Sequence, residues 1–447
     1  MKVDVLNLEW SSIMSRDRQM ATLVCNYLRF QGLNVVEGCI FQGYKLLRKY
    51  KPNILFISNA TGSTLNFDIC KYASTIGIKV VTLVSEGNIR DQDADQFLWG
   101  WNSDKKLYEV INLQWSLRAK KIINQHYPNL SKKIKVSGGV GFDIYKIMTF
   151  ISRSDFLKKH HKNTFSKIIG VGCWDFGILY PEDSRFEITK KRLTDTEIEY
   201  LKKDGILFNN IIKEIVVKNK DILFLIKEHP GEQLGKKASA IEDLDKFENV
   251  LIIKNVEPII NCIAVSDFWI AYESTTTLEA WLMNKQTCLL NPQGGDFPRD
   301  SIYKGSPIFS TTYMLQEVIE HYYESGYIDG FIEKSNIRNL LIKDTIEFDD
   351  GLNHVRAGNQ IIEIILKSNN IKKYSFPINK NVLFELIGWN LSYLLRHFGF
   401  FRWYFSCIKK FNYTQLNQNS KILYNSQLDF YRELKLSNKE LKGFKCI

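Results

Sequence analysis

Short apolar runs alternate along this chain with stretches of helical periodicity. Residues 2–8 (KVDVLNL) predict a first strand. Ser15 to Phe30 predicts a helix, because Met20, Leu23, Val24, Tyr27 and Leu28 fall on one face. Val35 and Val36 begin a second strand, Tyr44 to Tyr50 a short helix, and Asn53 to Ser58 a buried strand. Phe67 to Ile76 (helix), Lys79 to Val84 (strand) and Lys135 to Val140 (strand) complete a first series, and basic Tyr145 to Phe165 reads as a helical bridge. A second series starts with the strand at Lys167 (KIIGVG) and continues with a helix from Thr194 to Asn219. Strands follow at Ile222–Ile226, Val250–Ile253, Phe268–Ala271 and Thr287–Leu290, with helices at Pro258–Val265 and Leu278–Met283 between them. Apolar runs without alternation belong to strands buried on both faces, and strands separated by helices form parallel βαβ units. A chain of 447 residues is also too long for one ordinary core. The expected fold class is α/β, with two Rossmann-like doubly wound domains, 1–150 and 151–370, facing a central cleft, followed by a helical tail, 371–447.

In open α/β sheets ligands bind beyond the carboxyl ends of the strands, so the residues there are the candidates for chemistry. Ile222–Ile226 runs into Lys227, Glu228, His229 and Pro230; the proline cannot continue a ladder, which leaves His229 and Lys227 to face an anion. Phe268–Ala271 is followed by Glu273-Ser274-Thr275-Thr276-Thr277-Leu278-Glu279. Its hydroxyls suit a helix start and a phosphate, and Glu279 suits ribose hydroxyls. Glu86, after Lys79–Val84 and before Gly87, is placed to act as a general base on an acceptor hydroxyl. Asp175, in the loop Cys173–Gly177, is a rival carboxylate that either positions the donor or acts as a nucleophile. Arg16 and Arg18 open the first helix and suit an acidic acceptor. An N-cap, a structural histidine, a turn carboxylate and a solvated helix start are the corresponding plain readings. Gly138-Gly139-Val140-Gly141 reads as a turn, since it matches no dinucleotide fingerprint, and no phosphate loop or HExxH zinc motif is present.

Composition adds two constraints. The eight cysteines show no CxxC or metal-like spacing, which points to a reducing cytoplasm and against structural zinc. Of the net charge of +11, nine positive charges lie in the tail, where 13 Lys and Arg stand against 4 Asp and Glu from Ile371 onward. Within it, Asn381 to Ile408 is dense in Phe, Trp, Tyr and Leu but broken by Glu385, Arg396, His397 and Arg402, so no window of 18 residues is charge-free. This predicts either an interfacial helix on an anionic membrane surface or a helix packed back on the domains. A basic excess confined to such a tail, without a recognised module, argues against nucleic acid.

Taken together, Ser85-Glu86-Gly87, His229-Pro230, Ser274–Thr277, Gly141-Phe142-Asp143 and Asp350-Gly351 resemble a GT-B glycosyltransferase. The nearer likeness is to bacterial surface-carbohydrate biosynthesis proteins related to capsule Kdo transferases and bacterial sialyltransferases, over roughly residues 1–370. The resemblance implies sugar transfer from a nucleotide-sugar co-substrate, leaning to a CMP-linked acidic sugar such as Kdo or a nonulosonate, onto a glycan or lipid-linked glycan. It implies no metal and no further cofactor, and a cytoplasmic enzyme peripheral to the inner face of the membrane. It makes Glu86 the base and His229 the donor-phosphate ligand, completed by Ser274 and Thr275. Asp175 is the nearest match to the nucleophile of the retaining relatives. The rivals are a polyol-phosphate transferase of the CDP-glycerol type and a non-catalytic nucleotide- or glycan-binding protein.

Overall fold

The computed structural model describes residues 3–10, 16–183, 185–229, 243–254, 257–272, 274–295, 301–367, 376–390, 399–411 and 414–447. The chain falls into two compact units, Met1–Met148 with Lys343–Ile447, and Thr149–Ile342. The first boundary lies beside the expected one at 150. The residues beyond Lys343 return to the first unit, so the expected second boundary at 370 lies inside that unit.

The first unit holds a six-stranded parallel sheet: β1 (Val5–Glu9), β2 (Val35–Cys39), β3 (Ile54–Ser58), β4 (Lys79–Leu83), β5 (Ile111–Gln114) and β6 (Ile134–Val136), in the order β2-β1-β3-β4-β5-β6. Its central strands are buried along their whole length, as their unbroken apolar runs require. The helix Arg16–Phe30 places Met20, Leu23, Val24, Tyr27 and Leu28 in the core. Against it lies the closing helix Asn353–Leu366. A Cβ on Gly358 would come within 2.4 Å of the Tyr27 ring, so glycine permits this close approach. The Tyr27 hydroxyl donates to Asn359 at 2.7 Å. The Gly138 turn has φ +90°, and Asp143 accepts from the Asn353 side chain and the His354 backbone. The helix Thr414–Glu433 adds a hydrogen bond from Asn26 to Gln427, and the Ile447 backbone pairs with Val136.

The second unit repeats the plan with β7 (Lys167–Gly172), β8 (Ile222–Lys227), β9 (Val250–Ile253), β10 (Phe268–Ala271), β11 (Gln286–Leu290) and β12 (Ile308–Phe309), all parallel, in the order β12-β11-β10-β7-β8-β9. The long helix Asp195–Lys218 opens on a capping box between Thr194 and Glu197 and buries Phe208, Ile212 and Ile215 against the sheet. Two expectations are corrected. Tyr145 to Phe165 is not one helical bridge but two short helices, Ile144–Ile147 and Arg153–Lys159. The short strands β5 and β12 were not anticipated. Asn112 and Gln114 interrupt the apolar run of β5 by hydrogen-bonding inside the sheet, and β12 is only two residues long.

Candidate functional site

In the second sheet, β10, β7 and β8 are neighbours and end level: Ala271 pairs with Gly172, and Gly172 with Lys227. The strand order reverses between β7 and β10, which is where open parallel sheets bind ligands. Asp175 follows β7 by three residues, His229 follows β8 by two, and Ser274 follows β10 by three. The topology therefore delivers a carboxylate, an imidazole and a hydroxyl cluster to one edge. Gly172 keeps them close, since a Cβ there would stand 2.7 Å from Thr276 Oγ1 and 2.9 Å from the Trp269 indole nitrogen.

Asp175 is only 4% exposed, whereas the His229 side chain is 45% exposed, with its Nδ1 3.5 Å from Asp175 Oδ2. The same oxygen accepts from Arg185 Nη1 at 2.6 Å. Arg185 is fixed in turn by Asp183, through Nε to Oδ1 at 2.9 Å and Nη2 to Oδ2 at 2.5 Å. Burial alone would push the Asp175 carboxyl up, but the hydrogen bonds from His229 and Arg185 outweigh it and hold the group below its ordinary value. Bonding to Asp183 first, and then to Asp175, holds the Arg185 guanidinium above its ordinary value. A buried anion thus orients a solvent-facing imidazole. Asp175 Oδ1 is buried and makes no hydrogen bond, so it remains available as an acceptor.

On the hydroxyl side, Ser274 Oγ accepts from the Thr276 N–H at 3.2 Å and starts the helix Thr276–Leu282. The residue before that helix, Thr275, makes no side-chain cap of its own. Thr276 Oγ1 accepts from the Trp269 indole at 3.0 Å. Glu279 is buried one turn in. Lys227 leans the other way: its ammonium donates to the Lys254 carbonyl after β9, and burial lowers its pKa. It therefore engages β9, whereas His229 engages the loop after β7. Pro230 and Glu273 lie outside the described residues.

The other candidates belong to the first unit. Glu86 is exposed after β4, in a loop pinned by the Trp115 indole on the Val84 carbonyl at 2.8 Å and by Arg118 on the Ile89 carbonyl at 2.6 Å. A Cβ on Gly87 would stand 2.2 Å from the buried Trp115 ring, which explains the glycine after Glu86. Arg16 opens the first helix, and its side chain lies outside the described residues. Arg18 is buried in the unit near Glu37 and Glu9, and burial lowers its pKa.

Sequence reasoning missed Arg185 and Asp183, whose only trace is an acidic residue two positions before an arginine in a loop, a pattern without periodicity. It also missed Glu9. This residue ends β1, is 2% exposed, and accepts from the Ser58 N–H at 2.8 Å, the Ser58 hydroxyl at 2.5 Å and Asn7 at 3.0 Å. Burial pushes its carboxyl up to about 8. In the sequence it sat inside an apolar run and resembled a strand terminus.

No protein-family model and no curated protein matches the chain. Solved structures do. A putative UDP-N-acetylglucosamine 2-epimerase from Listeria monocytogenes is similar at 12% identity and a TM-score of 0.54, over 84% of this chain and 100% of that one. The S. aureus MnaA–UDP co-structure is similar at 13% identity and a TM-score of 0.52, over 84% and 100%. Another UDP-N-acetylglucosamine 2-epimerase gives 11% and 0.53, over 84% and 99%. At these identities the likeness shows the fold: two Rossmann-like units in a GT-B-like chain.

Proposed function

We propose that this chain is an enzyme acting on a nucleotide sugar, and that it transfers the sugar to a surface glycan. The observation that carries this reading is the meeting of Asp175, His229 and the Ser274–Thr276 hydroxyls at the level ends of β7, β8 and β10. A nucleoside diphosphate or monophosphate needs hydrogen-bond donors and a cation at such an edge. His229, held by Asp175, supplies a proton or a charge to the leaving phosphate, and the hydroxyls complete its cradle. Asp175 Oδ1 accepts a hydroxyl of the bound donor. Glu86 serves as the base towards the acceptor, Glu279 reads the ribose, and Arg16 belongs to the acceptor side, whereas buried Arg18 is structural. The chemistry asked of these residues requires no metal.

The His229–Pro230 motif leans the donor towards a CMP-linked acidic sugar. Against this, the solved structures of similar fold carry UDP in their names. That full-length correspondence also favours a second reading, 2-epimerisation of a UDP sugar. The two differ in bookkeeping: transfer releases free nucleotide and consumes an acceptor, whereas epimerisation leaves the nucleotide attached and needs no acceptor. A thermal-shift panel with CMP, UDP, GDP, CDP and CDP-glycerol identifies the nucleotide, since a ligand at a hundredfold its Kd adds about 2.7 kcal/mol. Stabilisation by CMP or UDP, lost in His229→Ala, is expected. A response only to CDP and CDP-glycerol would transfer the site to polyol-phosphate chemistry. No response to any nucleotide would overturn the reading. Chromatography of the matching nucleotide sugar, with and without glycan acceptor, then separates transfer from epimerisation.

A further inference from the structure

The tail offered two alternatives in the sequence, a membrane-facing helix or one packed on the body; among the described residues part of it is packed on the first unit and part is exposed. In the helix Lys380–Asn390, Val382 and Glu385 are buried against the first unit. Glu385 is 5% exposed and accepts the N–H groups of Tyr44 at 3.2 Å and Lys45 at 2.7 Å, capping the helix Gly43–Tyr50. In the helix Gly399–Phe411, Ile408 is buried in the same core, and Trp403 meets Phe41 edge-on with centroids 5.2 Å apart. Among the described residues, several apolar side chains are exposed here. Leu383 is 49% exposed, Phe384 52%, Trp403 48% and Ile378, just before the first helix, 63%.

Charge decides what that side fits. From Ile371 to Phe411 the sequence holds seven Lys and Arg and one acidic residue, Glu385. That one carboxyl is turned inward, so none from this segment offsets its cations on the surface. Lys380, Arg402 and Lys409, in the same two helices, are exposed as well. A second copy presenting this same basic face would set like charges against like. An anionic bilayer supplies negative charge and an apolar layer together, and exposed aromatic and aliphatic side chains flanked by Lys and Arg are the features that seat a protein in its interface. No helix among the described residues is long and apolar enough to cross a membrane, so the contact is with a surface.

We propose that Ile378, Leu383, Phe384 and Trp403, with Lys380, Arg402 and Lys409, form a docking face for an anionic lipid surface. The inference is independent of the nucleotide-sugar reading. It is tested with the full chain by cosedimentation with vesicles of phosphatidylcholine alone and of phosphatidylcholine containing phosphatidylglycerol, across a salt series. Binding to the anionic vesicles only is expected, weakening as salt screens the charges. Lys380→Gln/Lys409→Gln should weaken it at least about tenfold, since each basic residue near an anionic surface contributes roughly a factor of five. Leu383→Ser/Phe384→Ser should weaken it at low and high salt alike. All four positions are exposed, and an unchanged melting midpoint confirms folding. Equal binding to neutral vesicles, no vesicle binding, or variants that bind like the parent would overturn the proposal. So would sedimentation showing a dimer that Leu383→Ser/Phe384→Ser dissolves, since the face would then join two copies. Nucleotide-induced stabilisation, measured on the same variants, should not change, which keeps this failure distinct from failure of the site.

Discussion

The two sheets follow one plan, yet the carboxyl groups at their switch points are treated in opposite ways. In each unit the strand order reverses beside the first strand, at β1/β3 and at β7/β10. Glu9, at the end of β1, is surrounded by a backbone N–H, a hydroxyl and an amide, and burial pushes it up to about 8. Asp175, just after β7, is also shielded from solvent but less deeply enclosed than Glu9, and His229 and Arg185 hold it below its ordinary value. Glu9 is more fully desolvated and has only neutral donors, whereas Asp175 is less enclosed and is bonded by His229 and a guanidinium. The first edge therefore carries a proton at neutral pH, and the second carries a fixed negative charge beside an exposed imidazole. On the proposed reading, the donor phosphate belongs at the second edge.

The largest effect should come from removing that carboxylate–imidazole pair. Asp175→Asn and His229→Ala should each lower turnover of the nucleotide sugar by about 10²–10⁴-fold, the usual worth of a positioned acid or base. Because the two act together, the double variant should fall little further than the worse single one. Independent, additive losses would dissolve the pair as a functional unit. Arg185→Met should raise the pH at which the acid limb of the rate profile falls, because Asp175 would lose a hydrogen bond and a positive neighbour. Arg185→Lys should restore part of the shift. A parent-like profile in Arg185→Met would leave Arg185 a purely structural role.

The next effect separates the edges by pH. A raised pKa in the folded state means that stability is fully present below the unfolded value and is lost as pH rises through the folded one. Glu9 should therefore cost the protein a few kcal/mol, to an order of magnitude, as pH climbs from the ordinary carboxyl range to about 8. Asp175 has the opposite sign: its contribution is present above the ordinary value and lost as pH falls through the folded one. Denaturant unfolding of Glu9→Gln should show a flatter decline between pH 5 and about 8 than the parent. An unchanged slope would mean that Glu9 is ionised in the folded protein.

How far this contrast could be read in advance follows from what each edge is made of. Periodicity exposed both sheets, because Ile54–Ser58 and Ile222–Lys227 are buried on both faces and carry no polar alternation. His229 and the hydroxyl cluster were legible because each interrupts such a run where a strand must end. Glu9 was not, since β1 is too short to show that its last residue stays buried. Arg185 was not, since it reaches Asp175 across a loop, ten residues on, by a contact that no local pattern encodes. The bridge at 145–165 misled because basic residues and scattered apolar ones fit a helix as well as two short turns of one.

A smaller effect tests how closely the second edge is packed. In Gly172→Ala the new methyl would meet Thr276 Oγ1 and the Trp269 ring, which is fully buried and cannot swing aside. Overpacking of this kind costs about 1–3 kcal/mol, and here it would displace the hydroxyls as well. Both the melting midpoint and nucleotide affinity should fall. A stability loss with parent-like affinity would separate Thr276 from the ligand.

The smallest effect compares the two serines that start helices after the switch-point strands. In the first unit Ser63 precedes the helix Thr64–Thr75 as a true cap, accepting the Asn66 N–H at 3.1 Å. Ser63→Ala should cost about 1 kcal/mol, read as a shift in the denaturant midpoint at constant slope. Ser274 bonds only two residues ahead, to the Thr276 N–H, at the head of a seven-residue helix. The shorter turn satisfies one donor without tying the helix to its first full turn, so Ser274→Ala should cost less stability than Ser63→Ala. If the hydroxyl belongs to the donor-phosphate cradle, the same change should cost nucleotide affinity, and Ser63→Ala should not. The pair of variants thus asks one question of two similar positions: whether a serine at the switch point is retained for its helix or for its ligand. A larger stability loss at Ser274, with affinity intact, would answer helix in both units and remove Ser274 from the site.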